Sequence, residues 1–90
     1  MKAYEIIAKT DCKFCKKAIN LLEIKGYPFV VTVVDKNPAF LEEIKTKWNW
    51  QTVPVILESD ENNQFKLIGG CAELEQILLK GNDDASSKTD

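Results

Sequence analysis

Residues 3–15 read Ala3-Tyr4-Glu5-Ile6-Ile7-Ala8-Lys9-Thr10-Asp11-Cys12-Lys13-Phe14-Cys15, and they set both the fold and the chemistry. The apolar-rich run 3–8 suits a buried strand. Thr10-Asp11-Cys12-Lys13 then offers capping side chains ahead of a helical pattern. Cys15, Ala18, Ile19 and Leu22 recur at helical spacing, with Lys16, Lys17, Asn20 and Glu23 largely on the other side. Gly26 after Lys25 is a usual helix stop. The two cysteines therefore sit where a strand hands over to a helix.

Outward from that junction, Phe29-Val30-Val31-Thr32-Val33-Val34 is β-branched and almost wholly apolar. The composition predicts a strand covered on both faces. Asp35-Lys36-Asn37-Pro38 reads as a turn with Pro38 in a first helical turn. Phe40, Leu41, Ile44 and Trp48 mark a second amphipathic helix. Val53–Leu57 and Phe65–Ile68 read as strands joined through the polar run Ser59–Gln64. Gly69-Gly70 breaks the chain, and Cys71, Leu74, Ile77 and Leu78 mark a third helix with Glu73 and Glu75 near its positive end. The order β-α-β-α-β-β-α predicts an α/β fold with a four-stranded mixed sheet flanked by three helices. Its first two strands are expected to be parallel with a right-handed crossover, and its last two an antiparallel hairpin. Residues 1–80 form the domain. Residues 81–90, with no aromatic or large apolar residue, are expected to be a flexible acidic tail.

Composition narrows the chemistry further. The chain has 90 residues, enough for one domain. Its net charge of −2 belongs to Asp83, Asp84, Asp90 and Lys88, which leaves 11 Lys and 11 acids in residues 1–80. A neutral body is no footprint for nucleic acid. No Arg is present for bidentate phosphate binding, and no His for a Ser-His-Asp or Cys-His nucleophile or a His-ligated metal. The N-terminus has no secretory pattern and no apolar run spans a membrane, so a reducing cytoplasm is the expected compartment. There a cysteine pair is catalytic or metal-binding more often than structural.

Cys12-Lys13-Phe14-Cys15 is the sharpest motif. Residues three apart on a helix lie about 5–6 Å apart, close to the Cα separation of a disulfide. Cys12 precedes the helix's free N–H groups, where an anion is favoured. An ordinary thiol of pKa about 8.5 is only about 3% thiolate at neutral pH. Bringing that pKa to about 5 takes roughly 4.8 kcal/mol of preference for the anion. The helix dipole supplies at most about 2 kcal/mol, so N–H···S bonds and a cation must add the rest. Lys9, Lys13 and Lys16 are available, with Lys9 preferred if the loop folds back over the sulfur. Cys15, a turn deeper on the apolar side, stays protonated until needed. Cys12 is thus the attacking thiolate and Cys15 the resolving thiol. A zinc or iron–sulfur site would need further ligands, and one Cys and no His are left, so no metal is expected.

Thr52-Val53-Pro54 opens the third strand. X-Pro bonds are mostly trans. A cis bond at Pro54 would leave the Val53 backbone facing outward, able to pair with an extended peptide. Gly69-Gly70-Cys71-Ala72-Glu73 is a turn and a helix start whose N–H groups could also grip a carboxylate. Cys71 reads as a small semi-buried residue rather than a third catalytic thiol. The lysines at 9, 13, 16 and 17 are either a solvated face or an anion-steering patch.

Together these residues resemble the glutaredoxin family over residues 3–80. The resemblance lies in Lys9 three positions before Cys12, the Cys12–Cys15 motif, Thr52-Val53-Pro54 and Gly69-Gly70-Cys71. It implies a thioredoxin-like fold, a cis proline and glutathione as co-substrate. It also implies glutathione contacts from Lys9, Phe14, Thr52, Val53, Pro54, Gly70, Cys71 and Ala72. Lys13-Phe14 replaces the family's usual Pro-Tyr, and Ala72 stands where Asp or Ser is common. The short chain and altered motif look somewhat like phage-encoded glutaredoxins that supply electrons to ribonucleotide reductase.

The expected function is glutathione-dependent reduction of protein disulfides and glutathione mixed disulfides by a monomer, in the host cytoplasm if phage-encoded. Two alternatives stay open: a thioredoxin-like protein reduced by a flavoprotein reductase, and a carrier of a glutathione-ligated [2Fe–2S] cluster held between subunits.

Overall fold

A computed structural model describes residues 2–80. The expectation of a flexible tail at residues 81–90 falls outside them. The elements are β1 (Ala3–Ala8), α1 (Lys13–Lys25), β2 (Phe29–Val33), α2 (Pro38–Trp48), β3 (Val55–Ser59), β4 (Phe65–Gly69) and α3 (Cys71–Lys80). They form one four-stranded mixed sheet in the order β2-β1-β3-β4. β1 runs parallel to β2, with Tyr4 opposite Phe29 and Ala8 opposite Val33. β3 is antiparallel to both β1 and β4. This is the expected thioredoxin-like arrangement.

The strand period of two sorts β1 between two cores. Tyr4, Ile6 and Ala8 join Ile56 and the buried faces of α1 (Cys15, Ala18, Leu22) and α3 (Cys71, Leu74, Leu78). Ile7 faces the other side with Val34, Val55, Leu57 and Leu41 of α2. The sheet is thus covered by two helices on one face and one on the other.

Local chemistry fixes the ends of the helices. Gly26 adopts φ 77° and donates its N–H to the Glu23 carbonyl at 3.1 Å, closing α1. Asn37 caps α2 by accepting from the Phe40 N–H at 3.1 Å, with Pro38 at the first helical turn.

Three sequence expectations are corrected. β2 is not covered on both faces: it is an edge strand, and Val30, Val31 and Val33 are 61%, 38% and 58% exposed. An apolar, β-branched run fits a central parallel strand, but strand order is set by which partners pair, which hydropathy does not encode. β3 starts at Val55 rather than Val53, because Thr52 and Val53 lie in a bend before the ladder. Phe40, expected on the apolar face of α2, is exposed, and Leu41 carries that contact.

Candidate active site

The loop between β1 and α1 brings Cys12 to the head of the helix. The Thr10 N–H donates to both carboxylate oxygens of Asp35, at 2.9 and 3.1 Å, tying this loop to the turn after β2. These bonds hold the Asp35 carboxyl below the usual carboxylate range, helped by Lys9 and Lys36. Cys12 is extended at φ −126° and ψ 106° and is itself the N-cap of α1. Its carbonyl accepts the Lys16 N–H at 3.1 Å. Its sulfur accepts the Cys15 N–H, also at 3.1 Å. The capping function that Thr10 and Asp11 offered is thus performed by the cysteine sulfur.

Cys12 and Cys15 are joined as a disulfide, their Cα atoms 5.1 Å apart. Cys12 is half-buried, whereas Cys15 is 1% exposed and packed in the core with Ala18 and Leu22. One sulfur of the pair is therefore accessible and sits in a field of backbone N–H dipoles, and the other is sealed a turn deeper. That asymmetry suits a thiol that attacks and a thiol that resolves.

A cleft of about 450 Å³ opens against this end of the sheet, walled by Phe14, Thr52, Val53 and Pro54 on one side and Gly70, Cys71 and Ala72 on the other. The Val53–Pro54 bond is cis. Seven of the eight residues expected to contact glutathione thus line one cavity. Lys9 is not among its walls; it is exposed and acts on the Asp35 carboxylate.

The helix α3 enters the cleft through Gly69 and Gly70. Gly69 has φ +127°, and a Cβ there would stand 2.8 Å from Glu73 Cγ. The missing side chain lets Glu73 fold back and accept the Gly70 N–H at 2.9 Å, a capping arrangement that fixes the start of α3. Cys71 is a buried free thiol, and burial chiefly, with Glu75, pushes its pKa up. It has the character of a packed apolar residue rather than a nucleophile.

Four further residues line this cleft, Lys17, Trp50, Glu73 and Glu75, none of them among the expected glutathione contacts. Trp50 lines it from the segment after α2, and Lys17 pairs with Glu75 across α1 and α3 at 3.0 Å, which raises the Lys17 pKa. Glu75 was legible only as a charge near a helix start, and Trp50 carried no motif signal. Among the described residues no three His, Cys, Asp or Glu side chains converge in a way that could hold a metal ion, and no helix is long and apolar enough to cross a membrane.

Comparison with known proteins agrees with this geometry. The family model described as Glutaredoxin matches residues 4–61. Glutaredoxin 3 of Escherichia coli K12 is 33% identical over 81 residues, covering 90% of this chain and 92% of that protein. The structure of a buckwheat glutaredoxin–glutathione complex superposes with TM-score 0.73 at 20% identity, over 89% of this chain and 71% of that one. The glutaredoxin-like protein NrdH-redoxin from Escherichia coli, described as having a thioredoxin-like activity profile, gives TM-score 0.62 at 17% identity over 92% and 99% of the two chains. With a cysteine pair at the head of its first helix, a cis Val53–Pro54 bond, and this relationship over nearly its whole length, the chain belongs to the glutaredoxin family of thiol–disulfide oxidoreductases.

Proposed function

We propose that the chain is a glutathione-dependent reductase of protein disulfides and glutathione mixed disulfides, with Cys12 as nucleophile and Cys15 as resolving thiol. The observation that carries this reading is the single cleft joining Phe14 and Thr52–Pro54 to Gly70–Ala72. It offers an extended backbone segment and a helix start to one small peptide, next to Phe14 of the Cys12–Cys15 motif.

The reaction proceeds by thiol–disulfide exchange. The Cys12 thiolate attacks one sulfur of the target disulfide, forming a mixed disulfide and releasing the other sulfur as a thiolate, which takes a proton from water. Cys15 loses its proton and attacks Cys12 Sγ. The Cys12–Cys15 disulfide forms, and the target leaves as a dithiol. One glutathione thiolate then opens that disulfide at Cys12, and a second displaces the first as glutathione disulfide. Two electrons pass from two glutathiones to the target. For a glutathionylated target, Cys12 takes the glutathione directly and Cys15 is not needed.

We further propose that the protein acts as a monomer in the cytoplasm. Its substrates are disulfide-containing or glutathionylated proteins, ribonucleotide reductase being the one that the resemblance to phage glutaredoxins suggests. Ala72 favours a second reading, because it places no polar side chain at the cleft end of α3. In that reading a flavoprotein thioredoxin reductase supplies the electrons. Turnover of a small mixed disulfide with glutathione, or with NADPH and thioredoxin reductase, decides between them. Reduction by glutathione supports the first reading; reduction by the reductase alone contradicts it.

A further inference from the structure

The strand pairing that carries the chain toward Cys12 ends at Ala8, whose carbonyl accepts the Val34 N–H at 2.9 Å. Residues 9–11 then run exposed to the head of α1. Among the described residues, this segment takes part in side-chain hydrogen bonding at one place. There the Thr10 N–H donates to Asp35 Oδ1 at 2.9 Å and to Oδ2 at 3.1 Å. Asp35 itself stands on a fixed turn. The Asn37 N–H donates to the Val34 carbonyl at 3.0 Å, and the Asn37 side chain caps α2. One carboxylate thus joins the platform of β2 and α2 to a backbone amide two residues before Cys12.

The placement of Cys12 has two sides. Toward the helix, its carbonyl accepts the Lys16 N–H and its sulfur accepts the Cys15 N–H, each at 3.1 Å. On the side where the chain enters, the grip on Thr10 fixes the approach. A hydrogen bond to sulfur favours the thiolate only while its distance and angle are kept, and a nucleophile displaced by a fraction of an ångström loses rate.

Resting on the assignment of Cys12 as nucleophile, we propose that Asp35 is a positioning residue: by holding the Thr10 N–H with both carboxylate oxygens, it fixes the loop that sets the Cys12 sulfur over its donor at the head of α1. The role belongs to Asp35 as an acceptor. Its charge works in the opposite direction, because a carboxylate disfavours a second anion close by and offsets the nearby Lys9 and Lys36. Loss of the bond raises the Cys12 midpoint, whereas loss of the charge lowers it. Two substitutions separate these effects.

The test adds Asp35→Asn and Asp35→Ala to the reduced Cys15→Ser protein. Asn keeps an acceptor oxygen for Thr10 and lacks the charge; Ala lacks both. The thiolate of Cys12 is titrated by ultraviolet absorbance, and kcat and KM are measured with a glutathione mixed disulfide, all well below the melting temperature. Asp35→Asn is expected to titrate at or below the parent, with kcat within about twofold of it. Asp35→Ala is expected to titrate at least about 0.5 pH unit above the parent, with kcat lowered roughly three- to tenfold. KM should stay the same, since Asp35 is no wall of the cleft. A merely stabilising contact would move the melting temperature and leave the thiolate midpoint in place. An Asp35→Ala midpoint that is not above both the parent and Asp35→Asn overturns the proposal, as does an unchanged kcat. If the parent itself titrates no lower than free cysteine, the assignment of Cys12 fails first and the proposal falls with it.

Discussion

The Cys15 backbone N–H donates to the Cys12 sulfur at 3.1 Å. In the roles proposed above, one residue of the motif both resolves and activates the other. The deeper cysteine holds the outer sulfur through its main chain and keeps its own thiol in the core. Because the donor is backbone, the bond survives substitution of the Cys15 side chain.

Cys12→Ser is expected to reduce disulfide and deglutathionylation activity to the uncatalysed level. Cys15→Ser should keep deglutathionylation within about a factor of three, since its main-chain N–H still serves the thiolate, and lose dithiol reduction of protein disulfides. Steady-state assays with a glutathione mixed disulfide and with a protein disulfide separate the two. Deglutathionylation by Cys12→Ser would contradict the roles.

Gly69→Ala should cost about 1–3 kcal/mol, because φ +127° is unfavourable for a side chain and the new Cβ meets Glu73 Cγ at 2.8 Å. For a domain of this size that lowers Tm by at least about 4 °C. Thermal unfolding checks it. An unchanged Tm would show that Glu73 swings away freely.

Tyr4 and Glu58 form a buried pair on the far side of the sheet from α2. The phenol donates to Glu58 Oε2 at 2.8 Å, and Lys66 and Lys2 approach the same carboxylate at 3.4 and 3.8 Å. Burial, followed by the Glu58 hydrogen bond and charge, raises the Tyr4 pKa well above the ordinary phenol value of 10.0. The folded protein then holds this proton where the unfolded chain has lost it. The stabilisation is therefore complete below about pH 10 and declines as pH rises further. Denaturant midpoints measured from neutral to strongly alkaline pH should fall above that point. Tyr4→Phe should flatten the fall while costing about 1–2 kcal/mol at neutral pH, from the Glu58 oxygen left without its donor. An equally steep alkaline fall in Tyr4→Phe would contradict the assignment.

The Asp35 carboxyl, lowered by its bonds from Thr10, has the opposite sign. Its contribution is present above the unfolded carboxylate pKa of about 4 and is lost as pH falls through the folded value. Asp35→Ala should speed hydrogen exchange at the Thr10 amide several-fold and leave the hairpin of β3 and β4 unaffected. Unchanged exchange at Thr10 would mean that the loop is held by other contacts.

The β2 edge is apolar and carries no charge along Phe29–Val33, a hazard for edge-to-edge association. Val30 is 61% exposed and lies opposite Glu5 in the register. Val30→Lys should slow aggregation on heating while changing stability by no more than about 0.5 kcal/mol. Light scattering during a thermal ramp measures this, and unchanged aggregation would clear the edge.

Much of this molecule was legible in residues 3–15 and their echoes. The alternation of β1, the helical spacing of Cys15, Ala18 and Leu22, and the stop at Gly26 are local signals, and the structure reproduces them. Gly69-Gly70 announced the start of α3 for the same reason. The edge position of β2 depends on pairings between distant strands. The burial of Glu58 under Tyr4 and the meeting of Trp50 and Gly70 in one cleft join residues 54 and 20 positions apart, and no local pattern carries such neighbours. Lys9 stands outside the walls of the cleft, and its charge lies close enough to Asp35 to help lower that carboxyl.

The most direct test of the cysteine chemistry is the ultraviolet thiolate titration of Cys12 in reduced Cys15→Ser protein. Burial holds the Cys71 thiol up, so the two sulfurs titrate apart. The N-cap position and the Cys15 N–H predict a midpoint for Cys12 at least about one pH unit below the 8.5 of free cysteine. A midpoint at or above that value would contradict an activated nucleophile at the head of α1.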